Sequence, residues 1–471
     1  MLIKNTSIYV FGNTLPKIAS FFLLPIYTKY LSPSDYGVVQ AMVIISTLLS
    51  IFFTLAIERS IFRLIYDYRL DREKREYLGT LFISIILIAT IVFMLVYSMK
   101  QYLALLFPTI PFYPYYLFIM ITSYLTIFSH IPKIMLQVKE RAIGFILLSI
   151  SEFVISSILI LYLLIYHNSK ALAIISGNML TGFILLPIYI YITYGNVAIA
   201  FNKNMFLNAF KYSWPIVPGL LFATVINYSD RFFIERYLTL ADVGIYSLGF
   251  KLSQILLILS QGFNRAYVPI YFKYANRPKQ HLSHIESLFT INKLYMVALI
   301  YASTVIILFA KDFITVLDDR YIQAYMIVPL LITGILLNQF SSIYAMALKQ
   351  VKKTKINMYL VLSFASLNVI LNYYFVPKYG TYGAGTATLI TFIVAFIVRY
   401  RLSIKYFYIP IALRDITLWS FIYGLIILLS YSNIISDRYL LIMKIILFIL
   451  ISVIAIVSYK DIVMKYKHIN S

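Results

Sequence analysis

The sequence KYLSPSDYG at residues 29–37 returns 207 positions later as RYLTLADVG at residues 236–244. Four of the nine positions are identical, and the Lys/Arg and Ser/Thr exchanges are conservative. Each copy follows one long apolar run and precedes another, which predicts that each forms the short turn of a membrane hairpin. Two similar multi-span lobes in one chain are typical of alternating-access transporters.

The ends of the two repeated sequences predict how the following helices begin. Asp35 and Asp242 are expected to cap those helices, because a carboxylate accepts backbone N–H groups and favours the positive end of the helix dipole. Gly37 and Gly244 are expected to permit a tight turn there, because glycine lacks a Cβ atom. These four residues have structural roles in this interpretation.

The composition of the chain indicates a membrane protein. Of its 471 residues, 61% are hydrophobic and only 12% are charged, so the bilayer must serve as the solvent for much of the surface. The absence of cysteine excludes disulfides and thiol chemistry. The five histidines show no metal-ligand spacing, and no Walker A sequence is present, so neither a metal, a cofactor nor ATP hydrolysis is expected.

The apolar segments predict an all-α polytopic fold of about fourteen transmembrane helices. Each segment is close to the roughly 20 residues that cross ~30 Å of hydrocarbon. They lie near residues 7–30, 37–57, 77–99, 113–137, 143–166, 171–194, 213–235, 243–264, 291–312, 322–348, 356–376, 382–400, 415–431 and 439–459.

Grouping these segments predicts an N-terminal lobe at residues 1–200, a C-terminal lobe at 201–405, and an additional helix pair with a cytoplasmic tail at 406–471. Each lobe has six spans, so spans 1 and 7 enter the membrane in the same direction. The two lobes are therefore expected to be related by a pseudo-two-fold axis along the membrane normal.

The basic residues predict the orientation of the chain. With a cytoplasmic N-terminus, the inner segments hold 26 Lys and Arg residues and the outer turns hold 8. Such a bias is the positive-inside signal, and it predicts that both termini are cytoplasmic. It also accounts for most of the net charge of +22, so the basic residues do not indicate a nucleic-acid partner.

Basic groups inside the spans are candidates for substrate binding, because a charge near mid-membrane costs at least about 2.5–3.5 kcal/mol. The candidates are Lys17, Arg59, Lys251 and Arg265. The alternatives are that Lys17 pairs with an acid of a neighbouring span and that Arg59 only marks the end of span 2. Lys251 and Arg265 belong to a polar stripe at helical spacing along span 8.

Three further residues are candidates for gating or ion coupling, namely Glu152, Asp230 and Arg231. Glu152 is an isolated acid in span 5, and it is either the partner of Lys17 or a protonatable coupling group. Asp230 and Arg231 are adjacent, so they are expected to point in different directions, whereas Arg231 and Glu235 are four residues apart and can pair. A structural ion pair is the alternative to a gate.

At two places the chain resembles the polysaccharide transporter family. The first is the opening hairpin, with a lysine in span 1, the run Pro25-Ile26-Tyr27 and the sequence at residues 29–37. The second is residues 230–247, which are similar to the middle of the same family. Its members include O-antigen and other lipid-linked oligosaccharide flippases, relatives of the lipid II flippase and of the multidrug and toxin extrusion transporters.

The resemblance implies a flippase that moves an undecaprenyl-pyrophosphate-linked oligosaccharide from the cytoplasmic to the outer leaflet of the cell membrane for surface polysaccharide biosynthesis. It also implies a cation-lined cavity, to which the basic candidates of spans 1, 2, 7 and 8 would contribute. The implied partners are the lipid-linked oligosaccharide and membrane lipids, with the polysaccharide polymerase and chain-length machinery as further candidates. Coupling to protons or sodium stays open.

Two other functions are weighed against this one. A cation antiporter of the extrusion type predicts an acid-rich cavity, whereas the groups inside these spans favour cations. A membrane glycosyltransferase or polymerase requires a sizeable outer loop, and the predicted outer turns are short. The sequence therefore favours a transporter over an enzyme, with no catalytic residues assigned.

Overall fold

The structure is a computed structural model that describes residues 15–16, 18–275, 281–406, 413–431 and 443–456. These residues form helices and turns without a strand, and Lys17 lies outside them. The helices are α1 (Leu24–Tyr30), α2 (Pro33–Thr54), α3 (Asp71–Ser98), α4 (Leu117–Val138), α5 (Ala142–Tyr166), α6 (Lys170–Tyr194), α7 (Lys203–Ser213), α8 (Ile216–Tyr237), α9 (Leu240–Ser253), α10 (Ile255–Ala275), α11 (His281–Leu317), α12 (Ala324–Gln350), α13 (Thr354–Tyr406), α14 (Leu413–Tyr431) and α15 (Met443–Ile456).

The predicted all-α polytopic fold is confirmed. In the described part of the chain, ten helical segments are long and apolar enough to cross a membrane, and α14 and α15 contain shorter apolar stretches. The 53-residue α13 holds two of the predicted spans, which meet at Gly380, where φ is 58° and ψ is −138°. That conformation is non-helical and suits glycine, so the break separates the two spans.

The helices divide into two compact units, Met1–Gly244 and Ile245–Ser471. In the first unit, α2 packs against α3, α4, α6 and α8, and α6 packs against α4 and α5. In the second unit, α11 contacts α10, α12 and α14, while α12 packs along α13. The last helix, α15, is also held to α11, because Lys444 lies 2.5 Å from Asp312 and the Tyr301 hydroxyl lies 2.9 Å from that of Ser452.

The two repeated sequences begin their helices with the same hydrogen bonds. At the start of α2, the Asp35 carboxylate accepts from the backbone N–H of Ser32 at 3.0 Å and from its hydroxyl at 2.6 Å. At the start of α9, Asp242 accepts from the N–H and hydroxyl of Thr239 at 3.1 and 2.6 Å. Each hydroxyl in turn accepts from the aspartate N–H, which completes a capping box. The capping role of both aspartates is confirmed.

The prediction that Gly37 and Gly244 permit a tight turn is wrong, because each is the fifth residue of its helix, α2 or α9. The backbones of the two helices touch there. A Cβ atom on Gly37 would lie 1.9 Å from the carbonyl oxygen of Leu240, and one on Gly244 would lie 2.0 Å from that of Pro33. Pro33 and Leu240 occupy the same position of the repeat, as do the two glycines. The contact is therefore reciprocal, because each glycine faces the carbonyl oxygen of the equivalent residue in the other repeat.

This contact predicts that Gly37→Ala destabilises the protein. The added methyl group must displace backbone, and overpacking of this kind costs about 1–3 kcal/mol or more. Gly219→Ala in α8 is the matched control, because its Cβ atom would meet nothing within 4 Å and alanine favours a helix. Thermal unfolding in detergent measures both variants. Equal midpoints for Gly37→Ala and the wild type would contradict the close contact.

Candidate functional site

A cavity of about 960 Å³ lies within the first unit. Its walls are formed by α2, α4, α5, α6 and α8, together with the turn that follows α2. Direct hydrogen bonds between side chains join these walls, from Ser46 in α2 to Ser123 in α4 at 2.9 Å and from Ser156 in α5 to Asn178 in α6 at 2.7 Å. The cavity is therefore part of the packed helix bundle of this unit.

Hydroxyl and amide side chains dominate the polar part of the cavity wall. They are Ser46, Thr47, Ser50, Thr122, Ser123, Thr126, Ser129, Ser149, Ser156, Asn178, Thr181, Thr224 and Asn227. Most of the hydroxyls donate to the carbonyl oxygen four residues earlier in their own helix, as Thr47 does to Val43 at 2.8 Å and Thr122 to Phe118 at 2.7 Å. Hydrogen bonds of this kind satisfy a serine or threonine inside a helix, and they leave the oxygen free to accept from a ligand.

Two cations and one acid also line the cavity, namely Arg59, Lys133 and Glu152. The Lys133 ammonium on α4 pairs directly with the Glu152 carboxylate on α5. Both side chains are about one-quarter to one-third exposed, so water in the cavity reaches them. The Tyr189 hydroxyl on α6 lies beside Glu152. Together these side chains give the cavity a charged region that opens onto its hydroxyl-rich wall.

The interpretation of Glu152 as an isolated acid is wrong, because Lys133 pairs with it. Its predicted pairing with Lys17 lies outside the described residues. Lys133 was missed in the sequence, where it follows Pro132 inside the predicted span 113–137. A signal for it was present. Lys133 shares one helical face with Ser129 and Thr126, which lie four and seven residues earlier and also line the cavity.

Arg59 reaches the cavity because α2 ends abruptly before it. Leu55 and Ala56 adopt φ values of 48° and 58°, a left-handed conformation uncommon for residues with a side chain. The chain then enters a helical turn at Ile57–Ser60, and the buried side chain of Ile57 fixes this turn against the core. The Arg59 side chain is half exposed, and its Nε atom lies 3.8 Å from a Glu58 oxygen. It is therefore available to a ligand.

The expectation that Asp230 and Arg231 point in different directions is wrong. The Arg231 guanidinium donates to the Asp230 carboxylate at 3.0 Å, and both side chains are only 3% exposed. Arg231 also donates to the Asn227 carbonyl oxygen at 2.8 Å. Glu235, the partner expected for Arg231, accepts from the hydroxyl of Thr109 at 2.6 Å. None of these five residues except Asn227 lines the cavity.

The remaining candidates lie in the second unit. Lys251 is half-buried in α9, and Arg265 is exposed on α10. The helix is interrupted at Gln254, between α9 and α10, so the predicted polar stripe does not run along one continuous helix. Across the described residues, no group of three or more histidine, aspartate or glutamate side chains is arranged to hold a metal ion.

Comparisons with known proteins place this geometry in context. The family model described as polysaccharide biosynthesis protein matches residues 2–275, and the MatE model matches residues 215–374. An uncharacterized membrane protein of Haemophilus influenzae is 22% identical over 284 residues, which cover 58% of this chain. The match spans 65% of that relative's length, slightly under two thirds.

Two solved structures share the fold. The lipid II flippase MurJ in an inward closed conformation superposes with a TM-score of 0.69 at 18% identity, over 97% of this chain and 99% of MurJ. A point mutant of the Vibrio cholerae MATE transporter VcmN superposes with a TM-score of 0.54 at 15% identity, over 89% of this chain and 98% of VcmN. At these identities the likeness establishes the fold.

The buried pair of Asp230 and Arg231 predicts a structural role that a double-mutant cycle measures. Asp230→Ala leaves a buried guanidinium without its carboxylate, and breaking such a pair costs about 3–5 kcal/mol. We expect Asp230→Ala combined with Arg231→Ala to lose less stability than the sum of the single variants, in thermal or denaturant unfolding. Additive losses would show that the pair does not couple.

Proposed function

The chain belongs to the polysaccharide biosynthesis protein family, and from that premise we propose that it is a flippase. Its substrate is an undecaprenyl-pyrophosphate-linked oligosaccharide, which it moves from the cytoplasmic to the outer leaflet by alternating access. The observation that carries this proposal is the composition of the cavity, where a hydroxyl-rich wall surrounds Arg59 and Lys133. Such a lining suits a sugar chain joined to an anionic group.

The pyrophosphate is the part of this substrate that is least able to cross the membrane without a protein. An unpaired charge in hydrocarbon costs tens of kcal/mol in the idealised limit, so the anion does not cross unaided. Arginine and lysine replace its hydration with charge-assisted hydrogen bonds. Moving two negative charges outward across 100 mV, inside negative, also releases roughly 4–5 kcal/mol at about 2.3 kcal/mol per charge.

In this proposal Arg59 and Lys133 are the pyrophosphate ligands of the first unit. Lys133 binds the anion only after its ion pair with Glu152 breaks, because one ammonium group pairs poorly with the carboxylate and the pyrophosphate at the same time. Lys17, Lys251 and Arg265 are proposed as further cations along the path. Asp230 and Arg231 are proposed to hold helix α8 in shape, since their charges already satisfy each other.

A second function, cation antiport of the extrusion type, is favoured by two observations. Glu152 places a carboxylate in the cavity, and the MatE model matches residues 215–374. We rank this function second, because Glu152 is paired with Lys133 and two cations face the cavity beside this one acid. A cationic drug would have to compete with Lys133 for the carboxylate.

The first test compares two lysines near the same end of α4. Lys133→Ala should abolish export of the lipid-linked sugar with near-normal protein abundance in the membrane, and Lys133→Arg should retain part of the activity. Lys139→Ala is the matched control, because Lys139 pairs with Asn196 outside the cavity and should be dispensable. Transport of cationic drugs that depends on Glu152, with lipid export unaffected by Lys133→Ala, would instead establish the antiporter.

The second test concerns location and orientation. We propose that the protein lies in the cell membrane with both termini cytoplasmic and acts beside the polysaccharide polymerase and chain-length machinery. Reporter fusions after Lys170 and Lys378 should read outside, and those after Arg75, Lys355 and Lys467 inside. An outside reading at Lys467 would show that the number of spans is miscounted.

A further inference from the structure

His130 lies next to the charged region of the cavity and has no role in the function proposed above. It is one helical turn before Lys133 on α4, so the two residues share a face of that helix. The charges that act on His130 are those of Glu58, Arg59, Lys133 and Glu152, which come from the turn after α2, from α4 and from α5. The imidazole therefore belongs to a cluster of five ionisable side chains.

Among the described residues, two polar atoms of this cluster are buried without a hydrogen-bond partner, namely His130 Nδ1 and Glu58 Oε2. Buried polar atoms are nearly always paired, so an unpaired one needs an explanation. A neutral imidazole nitrogen accepts a hydrogen bond or binds a proton, and a carboxylate oxygen accepts a hydrogen bond from the protonated ring. These two unpaired atoms would allow the cluster to take up one proton.

The charges in the cluster balance when the histidine is neutral. Arg59 and Lys133 contribute two positive charges, and Glu58 and Glu152 contribute two negative ones. An anion that binds to the cations in the cavity adds negative charge next to the imidazole. Because opposite charges within a few ångströms favour the charged form of a group, the bound anion shifts His130 toward its protonated state.

We propose that His130 is a proton-binding site whose occupancy is linked to anion binding in the cavity. When the anion enters, Lys133 exchanges Glu152 for the anion, and the proton on His130 offsets one of the two negative charges on Glu58 and Glu152. Histidine suits this role, because its charge ordinarily changes between about pH 5 and 8. This inference rests on the proposed function, since it requires an anionic substrate in the cavity.

Linkage makes the effect reciprocal. If anion binding favours protonation, then protonation raises anion affinity by the same factor, and coupling of this kind typically amounts to about 5–150-fold. The protein should therefore bind its anionic substrate more tightly at low pH. The variants described below assign a change in affinity with pH to its residue.

The experiment measures binding of one probe to the purified full-length protein in detergent. The probe is a short-chain prenyl diphosphate linked to N-acetylglucosamine, because a diphosphate esterified at both ends keeps two negative charges and does not itself titrate. We expect at least about fivefold tighter binding near pH 5.5 than near pH 8. We also expect the wild-type protein to take up protons when the probe is added near pH 6.5 in weak buffer.

Three variants assign the proton to its residue. His130→Gln should bind the probe with an affinity that no longer changes with pH, and it should lose the proton uptake. His167→Gln is the matched control, because His167 is exposed after the end of α5 and should leave the pH profile unchanged. Glu152→Gln should bind more tightly at every pH, since Lys133 is released, and should keep the pH dependence.

The outcomes separate this inference from the proposed function. Binding that is equally tight at both pH values, or without proton uptake by the wild type, overturns the linkage and leaves the flippase proposal standing. A pH dependence that survives in His130→Gln and disappears in Glu152→Gln assigns the proton to the carboxylate and also overturns it. Failure of the probe to bind at any pH overturns the proposed function and this inference together. Proton uptake by the wild type tests the linkage between proton and anion binding even if a variant fails to fold.

Discussion

Hydrocarbon offers no hydrogen-bond partner, and this single constraint explains most of the structure. Backbone groups are satisfied within helices, which is why the described residues contain no strand. Side-chain hydroxyls follow the same rule by donating to the preceding helical turn, as Thr122 and Thr224 do. Charged groups follow it by pairing, as Asp230 and Arg231 do where both are almost fully buried. Polar side chains that remain available to a ligand are found in the cavity that the helices of the first unit enclose.

The positive and negative side chains around this cavity balance one another. Lys133 and Glu152 neutralise each other across the wall between α4 and α5, and Arg59 stands near Glu58. Such a balance lowers the cost of keeping cations among the helices, since an unpaired ion carries a desolvation penalty of several kcal/mol. For the anionic substrate proposed above, it also means competition with an internal carboxylate. Binding strength in the cavity then depends on how readily the two acids give up their partners.

Features that depend on local sequence were predictable, and features that depend on tertiary neighbours were not. The spans follow from long apolar runs, and the capping aspartates Asp35 and Asp242 follow from residues three positions apart. The role of Gly37 was misjudged, because its neighbour Leu240 is distant in sequence. The partner of Glu152 was missed for the same reason, since Lys133 meets it only when α4 and α5 pack together. The role proposed for His130 could not be predicted from the sequence, because it depends on four charged side chains that come from three separate segments.

The hydroxyl-rich wall has a consequence for the range of cargo. Its protons are already donated to backbone carbonyl groups, as in Thr47 and Ser149, so the wall offers mainly oxygen lone pairs. Every carbohydrate brings hydroxyl protons to such a surface, whatever the stereochemistry at each ring carbon. A serine or threonine that rotates accepts from an axial or an equatorial hydroxyl with little difference. If the cargo is the oligosaccharide proposed above, a transporter built this way discriminates weakly among glycans, and a single point mutation would seldom exchange one sugar preference for another.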